Sequence, residues 1–255
     1  MHALITNDDG VDSLGLRALV QAAVACGVEV TVAAPDGERS GSSAALSALE
    51  AEGRLLVAEL PFGGVPGVTT ALAVRASPAL IVFVGVRGAF GPVPDLVLSG
   101  VNHGPNTGQA VLHSGTVGAA LTAVTHGLPA LAVSCAAAEP AQWESSALAA
   151  GRAIGWLLAH RGPPVMLNVN VPDLPPDRLR GLRPAALATY GAVQARIGER
   201  GRGYLTTTFR EVAEESVPGT DVALLRQGWA TVTALDRPTA TAAVDLTPLT
   251  WDATA

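Results

Sequence analysis

Short apolar runs alternate with longer amphipathic stretches over the first two thirds of the chain, and this alternation restricts the fold most. Runs of this length are typical of buried strands, and the stretches between them place apolar residues at helical spacing. We predict strands near 2–7, 28–34, 95–99, 129–134 and 165–170, and helices near 14–26, 78–87, 115–126 and 141–160. Strands that alternate with helices form βαβ units, so the predicted fold class is α/β with a mostly parallel sheet.

The character of the sequence changes after Pro172. Proline-rich connectors follow, and then two segments of β type near 205–209 and 230–235. The chain contains no internal repeat and no long linker, so we place only a soft boundary there. It separates an α/β catalytic domain, residues 1–172, from a C-terminal appendage, residues 173–255.

The composition excludes several functional classes. All sixteen basic residues are arginine, and a chain without lysine cannot be a Walker A NTPase, a protein kinase or a Schiff-base enzyme. The net charge of −6 argues against a nucleic-acid partner. The longest apolar run, Ala79 to Val86, is less than half of the roughly 20 residues that a membrane helix needs. We therefore expect a cytoplasmic protein without membrane contact, whose cysteines, Cys26 and Cys135, are reduced.

Two adjacent carboxylates, Asp8 and Asp9, follow the first predicted strand directly. Ligands of open parallel sheets bind beyond the carboxyl ends of the strands, and adjacent carboxylates repel each other unless a cation neutralises them. Asn7 and Gly10 tolerate the tight backbone that would let both carboxylates face one point. An Asx-rich turn that caps the next helix explains these four residues as well, so both interpretations stay open here.

Two further loops rich in oxygen donors and glycine follow predicted strands. The loop over 34–43 contains Ser40, and the loop over 99–108 contains Asn102 and Asn106. Carboxylate, hydroxyl and amide oxygens suit a hard ion such as Mg²⁺ or Mn²⁺ rather than zinc. Each loop alone is also ordinary turn chemistry, but their coincidence at one sheet edge favours a metal site.

The segment Ser114-Gly115-Thr116 opens the helix predicted over 115–126. Small residues at a helix N-terminus let free backbone N–H groups approach an anion, and the helix dipole favours phosphate there. Ser114 as a simple N-cap is an equally good interpretation of these residues alone. A metal site nearby favours a phosphate ester as the ligand, with His103 and His113 as candidate acid or base groups.

The order and content of these loops resemble the survival protein E (SurE) family of metal-dependent nucleotidases. The shared motifs span nearly the whole chain, and they are Ile5-Thr6-Asn7-Asp8-Asp9-Gly10, Ala34-Pro35-Asp36, Arg39-Ser40-Gly41, Ser99-Gly100-Val101-Asn102, Gly104-Pro105-Asn106, Ser114-Gly115-Thr116-Val117, Asn168-Val169-Asn170-Val171-Pro172 and Gly219-Thr220-Asp221-Val222. Together these motifs are highly specific.

The resemblance implies a phosphomonoesterase that hydrolyses nucleoside 5′- or 3′-monophosphates to nucleoside and phosphate. It implies one divalent ion per subunit, Mg²⁺ or Mn²⁺, held by Asp8, Asp9, Ser40 and Asn102. The catalytic residues would be Asp8 and Asp9 together with Asn106.

The same resemblance places Asn106, Ser114, Gly115 and Thr116 beside the phosphoryl group of a small nucleotide substrate. It implies a doubly wound, Rossmann-like sheet with an extended, β-rich C-terminal arm. Because that arm is exchanged between subunits in the family, we expect a homodimer or homotetramer.

One position departs from the family pattern, in which Gly-Thr-Pro-x-Asp-Cys-Val is common. Here the matching stretch is Ala76-Ser77-Pro78-Ala79-Leu80-Ile81-Val82, with Leu80 in place of the acid. The departure leaves the metal ligands untouched and opens the question of which leaving groups are preferred.

Two alternative functions stay open: a non-catalytic, metal-dependent nucleotide-binding or regulatory protein, and a phosphatase for other small esters. Haloacid-dehalogenase-like phosphatases place Asp-x-Asp after the first strand, whereas Asp8 and Asp9 are adjacent. The sequence has no Gly-x-Ser-x-Gly elbow of a serine hydrolase, and no Gly-x-Gly-x-x-Gly of a dinucleotide enzyme follows the first strand.

Overall fold

The computed structural model describes residues 1–48, 50–51, 53–62, 65–189, 193–211 and 217–240. The α-helices within these ranges are α1 (Leu14–Ala25), α2 (Pro78–Gly85), α3 (Gly115–Thr125), α4 (Trp143–Ala159) and α5 (Asp221–Arg226), and a 3-10 helix spans Gly108–His113. The strands are β1 (His2–Thr6), β2 (Glu29–Pro35), β3 (Glu50–Ala51), β4 (Arg54–Leu55), β5 (Val57–Glu59), β6 (Val68–Val74), β7 (Leu96–His103), β8 (Ala130–Cys135), β9 (Met166–Val171), β10 (Leu182–Pro184), β11 (Val193–Gly201), β12 (Tyr204–Glu211) and β13 (Ala230–Leu235).

The main sheet contains nine strands in the order β10-β13-β9-β8-β7-β1-β2-β6-β5. Its six central strands, from β9 to β6, are parallel to one another. Strand β13 runs antiparallel to β9, and β5 runs antiparallel to β6. The predicted mostly parallel α/β fold is therefore confirmed, and all five predicted strands of the first 172 residues lie in this sheet.

The sheet is covered on both faces because its strands alternate their apolar side chains between two cores. In β1, Ala3 and Ile5 belong to one apolar cluster, together with Leu16 of α1. Leu4, between them, belongs to a second cluster with Ile81 of α2. Helices α1 and α4 cover the first face, and α2 and α3 cover the second. This is the doubly wound arrangement that the family resemblance implied.

The order of the strands reverses beside β1, which lies between β2 and β7. The chain leaves β1 towards β2 across one face and later returns to β7 across the other. In open α/β sheets, ligands bind at the carboxyl ends of the two strands between which the winding reverses. Of the predicted metal ligands, Asp8 and Asp9 follow β1, Asn102 lies near the carboxyl end of β7, and Ser40 lies in the loop after β2.

The region after residue 172 takes part in the main sheet. Strands β10 and β13 pair in parallel, and β13 continues the sheet from β9. The segments predicted as β type near 205–209 and 230–235 fall in β12 and β13, and β11 and β12 form a separate two-stranded sheet. The sheet thus includes strands from both sides of the soft boundary at residue 172. The division into a catalytic domain and a C-terminal appendage stays a prediction. No helix in the described ranges is long and apolar enough to cross a membrane.

Candidate metal and phosphate site

The turn after β1 holds Asp8 and Asp9 in place. The side-chain Nδ2 of Asn7 donates to the carbonyl of Gly10 at 2.8 Å, and this hydrogen bond closes the turn. Gly10 has a φ of +100°, and a Cβ on it would lie 3.2 Å from the backbone of Gly37. The N-cap of helix α1 is Ser13, outside this motif, and it makes no side-chain cap hydrogen bond, so the capping interpretation is not supported. The turn places both carboxylates directly after β1, and their role as metal ligands stays a prediction.

Asp8 is nearly buried, with 4% of its surface exposed, and it is held by the first turn of α3. The hydroxyl of Thr116 donates to Asp8 Oδ1, and the backbone N–H of Thr116 donates to Asp8 Oδ2 at 3.2 Å. Asn102 Oδ1 lies 3.4 Å from the Thr116 hydroxyl oxygen. The structure therefore brings three of the predicted site residues together, namely Asp8, Thr116 and Asn102.

Asn102 reaches this cluster because β7 is longer than predicted. The sequence predicted a strand that ends near residue 99, but β7 continues to His103. Its register against β8 shifts between Ser99 and Asn102, so β7 carries one extra residue there. A bulge of this kind re-aims the side chains that follow it.

Asp9 lies beside the end of β7. Its Oδ2 accepts the backbone N–H of His103 at 3.3 Å, and its Oδ1 lies 3.9 Å from His103 Nδ1. The His103 ring in turn packs against Trp143, with 5.2 Å between the ring centroids. Of the two candidate acid–base histidines, His103 thus contacts Asp9, whereas His113 ends the 3-10 helix with an exposed side chain.

The two carboxylates are electrostatically strained without a cation. Burial raises the pKa of Asp8, and burial together with the charge of Asp8 raises the pKa of Asp9 to about 7. Arg39 and Arg75 form ion pairs with Asp36, and the group that lies near Asp9 Oδ1 is His103 Nδ1 at 3.9 Å. A divalent cation would keep both groups ionised.

The donor chemistry at this point fits a hard divalent ion. The carboxylates of Asp8 and Asp9 and the amide oxygen of Asn102 are the oxygen donors that Mg²⁺ and Mn²⁺ prefer. No group of three or more His, Cys, Asp or Glu side chains that could bind a metal occurs in the part of the chain that the structure describes. The remaining ligands would therefore be neutral oxygens.

Ser40 lies in the loop after β2. A backbone hydrogen bond connects this loop to Asp8. The N–H of Arg39 donates to the carbonyl of Asp8 at 2.7 Å. The hydroxyl of Ser40 is exposed and donates to Glu38 Oε1 at 2.7 Å. The side chain would have to leave Glu38 to bind a metal, and its role as a ligand stays a prediction.

Ser114 caps helix α3, and its Oγ accepts the N–H of Val117 at 3.1 Å. The N-cap interpretation is thus confirmed. The next donors face Asp8, since the Thr116 N–H and hydroxyl both bind it and the N–H of Gly115 lowers its pKa. The start of α3 therefore positions Asp8, and contact of Ser114, Gly115 and Thr116 with phosphate stays a prediction.

Asn106 is fixed by buried polar side chains from neighbouring strands. Its N–H donates to Asn170 Oδ1 at 2.7 Å, and its carbonyl accepts from Asn168 and Asn170 at 2.8 and 2.9 Å. Its own Nδ2 donates to Ser134 Oγ at 2.8 Å. Asn168 and Asn170 were not predicted as site residues, although two asparagines on one face of a buried strand were a usable signal.

Leu80 and Cys135 both lie in packed surroundings. Leu80 is half-buried and packs against the apolar cluster that contains Ile81, so packing accounts for the apolar residue in place of the family acid.

Cys26 and Cys135 are free thiols. Burial, reinforced by Asp173, raises the pKa of Cys135 to about 12, so this thiol stays protonated at neutral pH.

A comparison with known proteins assigns the family. The sequence model described as Survival protein SurE matches residues 3–193, which is most of the chain. The chain belongs to the SurE family.

Curated SurE proteins match over nearly their whole length. The 5′-nucleotidase SurE of Methylococcus capsulatus is 38% identical over 239 residues, covering 92% of this chain and 91% of the relative. The 5′-nucleotidase SurE of Archaeoglobus fulgidus is 36% identical over 246 residues, with coverage of 92% and 91%. The crystal structure of the SurE protein from Aquifex aeolicus superimposes with a TM-score of 0.73 at 30% identity, and covers 92% of this chain and 93% of that one.

The last motif shared with SurE proteins, Gly219-Thr220-Asp221-Val222, contacts the loop that carries Asn106. The Asp221 carboxylate is fully buried and accepts the N–H of Gly108 at 2.8 Å. It also accepts the N–H groups of Ala188 at 3.0 Å and of Val222 at 2.8 Å. Residues beyond 172 thus help to fix the position of Asn106.

We predict that Asp221→Asn lowers kcat about 10-fold with a KM change below about threefold, because one buried N–H loses its acceptor and the Asn106 loop shifts. Steady-state kinetics together with thermal melts test this. Asp173→Asn is the matched control, since Asp173 accepts N–H groups of Ala141 and Gln142 before α4. The control should lower the Tm and keep kcat; equal kcat losses in both variants would contradict a positioning role for Asp221.

Proposed function

We propose that this chain is a metal-dependent phosphomonoesterase that hydrolyses nucleoside 5′- or 3′-monophosphates to nucleoside and phosphate. The carrying observation is the pair of adjacent carboxylates, buried Asp8 and partly buried Asp9, at the point where the sheet winding reverses. Their need for a cation, together with curated relatives named 5′-nucleotidase, supports this function over a binding protein without turnover.

One divalent ion per subunit, Mg²⁺ or Mn²⁺, would be held by Asp8, Asp9 and Asn102, with Ser40 as a fourth ligand after it leaves Glu38. When bound, such an ion offsets charge on the phosphoryl group and lowers the pKa of a water molecule. Thr116 keeps Asp8 oriented through its hydroxyl and its N–H. Outer partners of this kind fix the orientation of metal ligands.

Asn106 would orient the phosphoryl group or the attacking water. One hydrogen of its Nδ2 is used by Ser134, so the second hydrogen and Oδ1 remain for the substrate. The backbone of Asn106 is held on both its N–H and its carbonyl by asparagines of β9. A side chain fixed in this way loses little entropy when it meets the substrate, which favours the reaction.

A phosphate-release screen with and without metal tests the proposal. We expect turnover of several nucleoside monophosphates with Mg²⁺ or Mn²⁺, and loss of turnover after chelation. Full activity in a chelated sample would contradict the metal role. Turnover of other small esters alone would favour a phosphatase of different specificity, and nucleotide binding without any turnover would favour a regulatory protein.

We predict that Thr116→Val weakens Mn²⁺ binding about 10-fold, the lower end of what outer-partner mutations at metal sites cost. The reason is that Asp8 loses the hydroxyl that orients it. Calorimetric titration of Mn²⁺ measures this. Thr122→Val is the control in the same helix, because the Thr122 hydroxyl binds the carbonyl of Gly118. Equal Mn²⁺ affinity in wild type and Thr116→Val would refute the role of Thr116.

We further propose a homodimer or homotetramer located in the cytoplasm, with no nucleic acid or membrane as partner. Strands β11 and β12 pair with each other outside the main sheet, which suits an arm exchanged between subunits. Sedimentation analysis of the full chain tests the oligomeric state; a monomer at micromolar concentration would contradict it.

A further inference from the structure

The serine two positions after Ser40 lies beside Asp8. The loop around Ser42 is fixed by two backbone hydrogen bonds. The N–H of Ser42 donates to the carbonyl of Arg39 at 3.2 Å, and the carbonyl of Ser42 accepts the N–H of Ala45 at 3.0 Å. Gly41 and Ser43 both have positive φ values, +74° and +52°. These turns direct the Ser42 side chain towards the start of helix α3.

Two glycines on one face of α3 let this loop approach the helix closely. A Cβ on Gly115 would lie 2.5 Å from Ser42 Oγ, and a Cβ on Gly118 would lie 2.2 Å from the carbonyl oxygen of Ser43. Residues three apart share a face of a helix, so the loop rests on both glycines at once. Ser42 is therefore held in place by tight backbone packing.

The Ser42 hydroxyl and the Asp8 carboxylate converge on one point. The position that a Cβ on Gly115 would occupy lies 2.5 Å from Ser42 Oγ and 2.8 Å from Asp8 Oδ2. The Ser42 hydroxyl is thus next to the proposed metal ligand, whereas Ser40 is exposed and bonded to Glu38.

The hydroxyl oxygen of Ser42 is buried and has no hydrogen-bond partner among the described residues. An unpaired buried hydroxyl is costly, and in native structures a water molecule, an ion or a ligand pairs with such a group. The neighbouring Ser43 differs, because its hydroxyl donates to the carbonyl of Leu112 at 2.7 Å.

Around Asp8 the site has many hydrogen-bond acceptors and few hydrogen-bond donors that are not already engaged. Asp8, Asp9 and the Asn102 amide oxygen accept, as a metal requires. The Thr116 hydroxyl and N–H are used by Asp8. A phosphoryl group carries only acceptor oxygens, so it needs donors that nothing else has engaged. The Ser42 hydroxyl is such a donor.

We propose that the Ser42 hydroxyl donates a hydrogen bond to an oxygen of the phosphoryl group bound at the Asp8 site. This assignment rests on the proposed phosphatase function and adds to it a substrate contact outside the residues expected from the family. It assigns Ser42 to the phosphate and leaves the metal to the carboxylates and Asn102.

The test compares wild type with Ser42→Ala in two separate titrations, one with Mn²⁺ alone and one with inorganic phosphate in saturating Mn²⁺. We expect phosphate binding to weaken about 10-fold, as for loss of a hydrogen bond to a charged group, with Mn²⁺ affinity changed less than about twofold. The Tm should not fall, because the removed hydroxyl has no partner in the protein. Ser47→Ala is the matched control: it removes an exposed hydroxyl from the same loop and should change neither titration.

Each outcome decides the assignment. Unchanged phosphate affinity in Ser42→Ala overturns it, and weakened Mn²⁺ binding overturns it by assigning the hydroxyl to the metal. Equal loss of phosphate binding in Ser47→Ala overturns it by attributing the effect to the loop. A wild type that binds phosphate but hydrolyses no ester would refute the proposed function alone, and the phosphate titration would still decide the role of Ser42. A wild type that binds no phosphate overturns the assignment.

Discussion

Asp9→Asn should lower kcat/KM at least about 100-fold, since replacing even outer partners of a metal site costs 10–100-fold. The substitution removes one of the two charges that would hold the ion but preserves the size of the side chain. Its remaining oxygen can still accept the N–H of His103, so the fold should be retained. The measurements are steady-state kinetics on a nucleoside monophosphate, circular dichroism, and the rise in Tm on adding Mn²⁺, which should shrink in the variant.

Asp12→Asn is the matched control for this prediction. Asp12 is exposed and lies three residues further along the chain, so the same chemical change should leave turnover and the Mn²⁺-induced Tm rise unaltered. A fully active Asp9→Asn protein would show that the paired carboxylates are not the catalytic centre. If Asp9→Asn does not fold, a Mn²⁺ titration of Asp9→Glu decides instead, because this variant keeps the charge and should retain metal binding.

Gly118→Ala should destabilise the protein by about 1–3 kcal/mol, although alanine is the better helix former. The new Cβ would lie 2.2 Å from the carbonyl oxygen of Ser43 and 2.7 Å from the nitrogen of Ala44, so the loop must move off the helix. That movement carries Ser40 and Ser42 away from Asp8, and a displacement of about 1 Å can cost on the order of 100-fold in rate. Thermal melts and kcat/KM measure the two effects.

For Gly155→Ala, in another helix of the same domain, we expect the opposite effect on stability. Gly155 lies in α4, and a Cβ there would meet nothing within 4 Å. Alanine should therefore raise the free energy of unfolding by roughly 0.5–1 kcal/mol and keep the activity. If both glycine variants changed stability in the same direction, the close approach of the loop to Gly118 would not be the cause.

The sequence predicted the strands that carry site residues better than those at the sheet edges. Strands β1, β2, β8 and β9 form continuous buried runs, as expected of strands covered on both faces, and the pattern located them within a few residues. Strands β5 and β6 were missed. β5 is exposed and three residues long, and β6 alternates buried and partly exposed residues, so neither forms such a run.

The role of Thr116 could not be predicted from its motif. Ser-Gly-Thr at a helix start is compatible with phosphate binding and with simple capping, and local sequence does not reveal which group faces the helix. That group is Asp8, more than a hundred residues earlier in the chain. Only the packing of α3 against the end of β1 decides that Thr116 serves a carboxylate.

By itself the sequence determined the α/β class and the two carboxylates at the end of β1, because hydrophobic period and turn chemistry are local properties of the chain. The tertiary structure alone decided which serine hydroxyl lies beside Asp8 and what holds Asn106. The hydroxyl oxygen of Ser42 rather than that of Ser40 is buried there because two glycines of α3 admit the loop, and Asn106 is fixed by Asn168, Asn170 and Asp221 from distant elements. Contacts of this kind depend on how strands and helices converge in space, which no local pattern encodes.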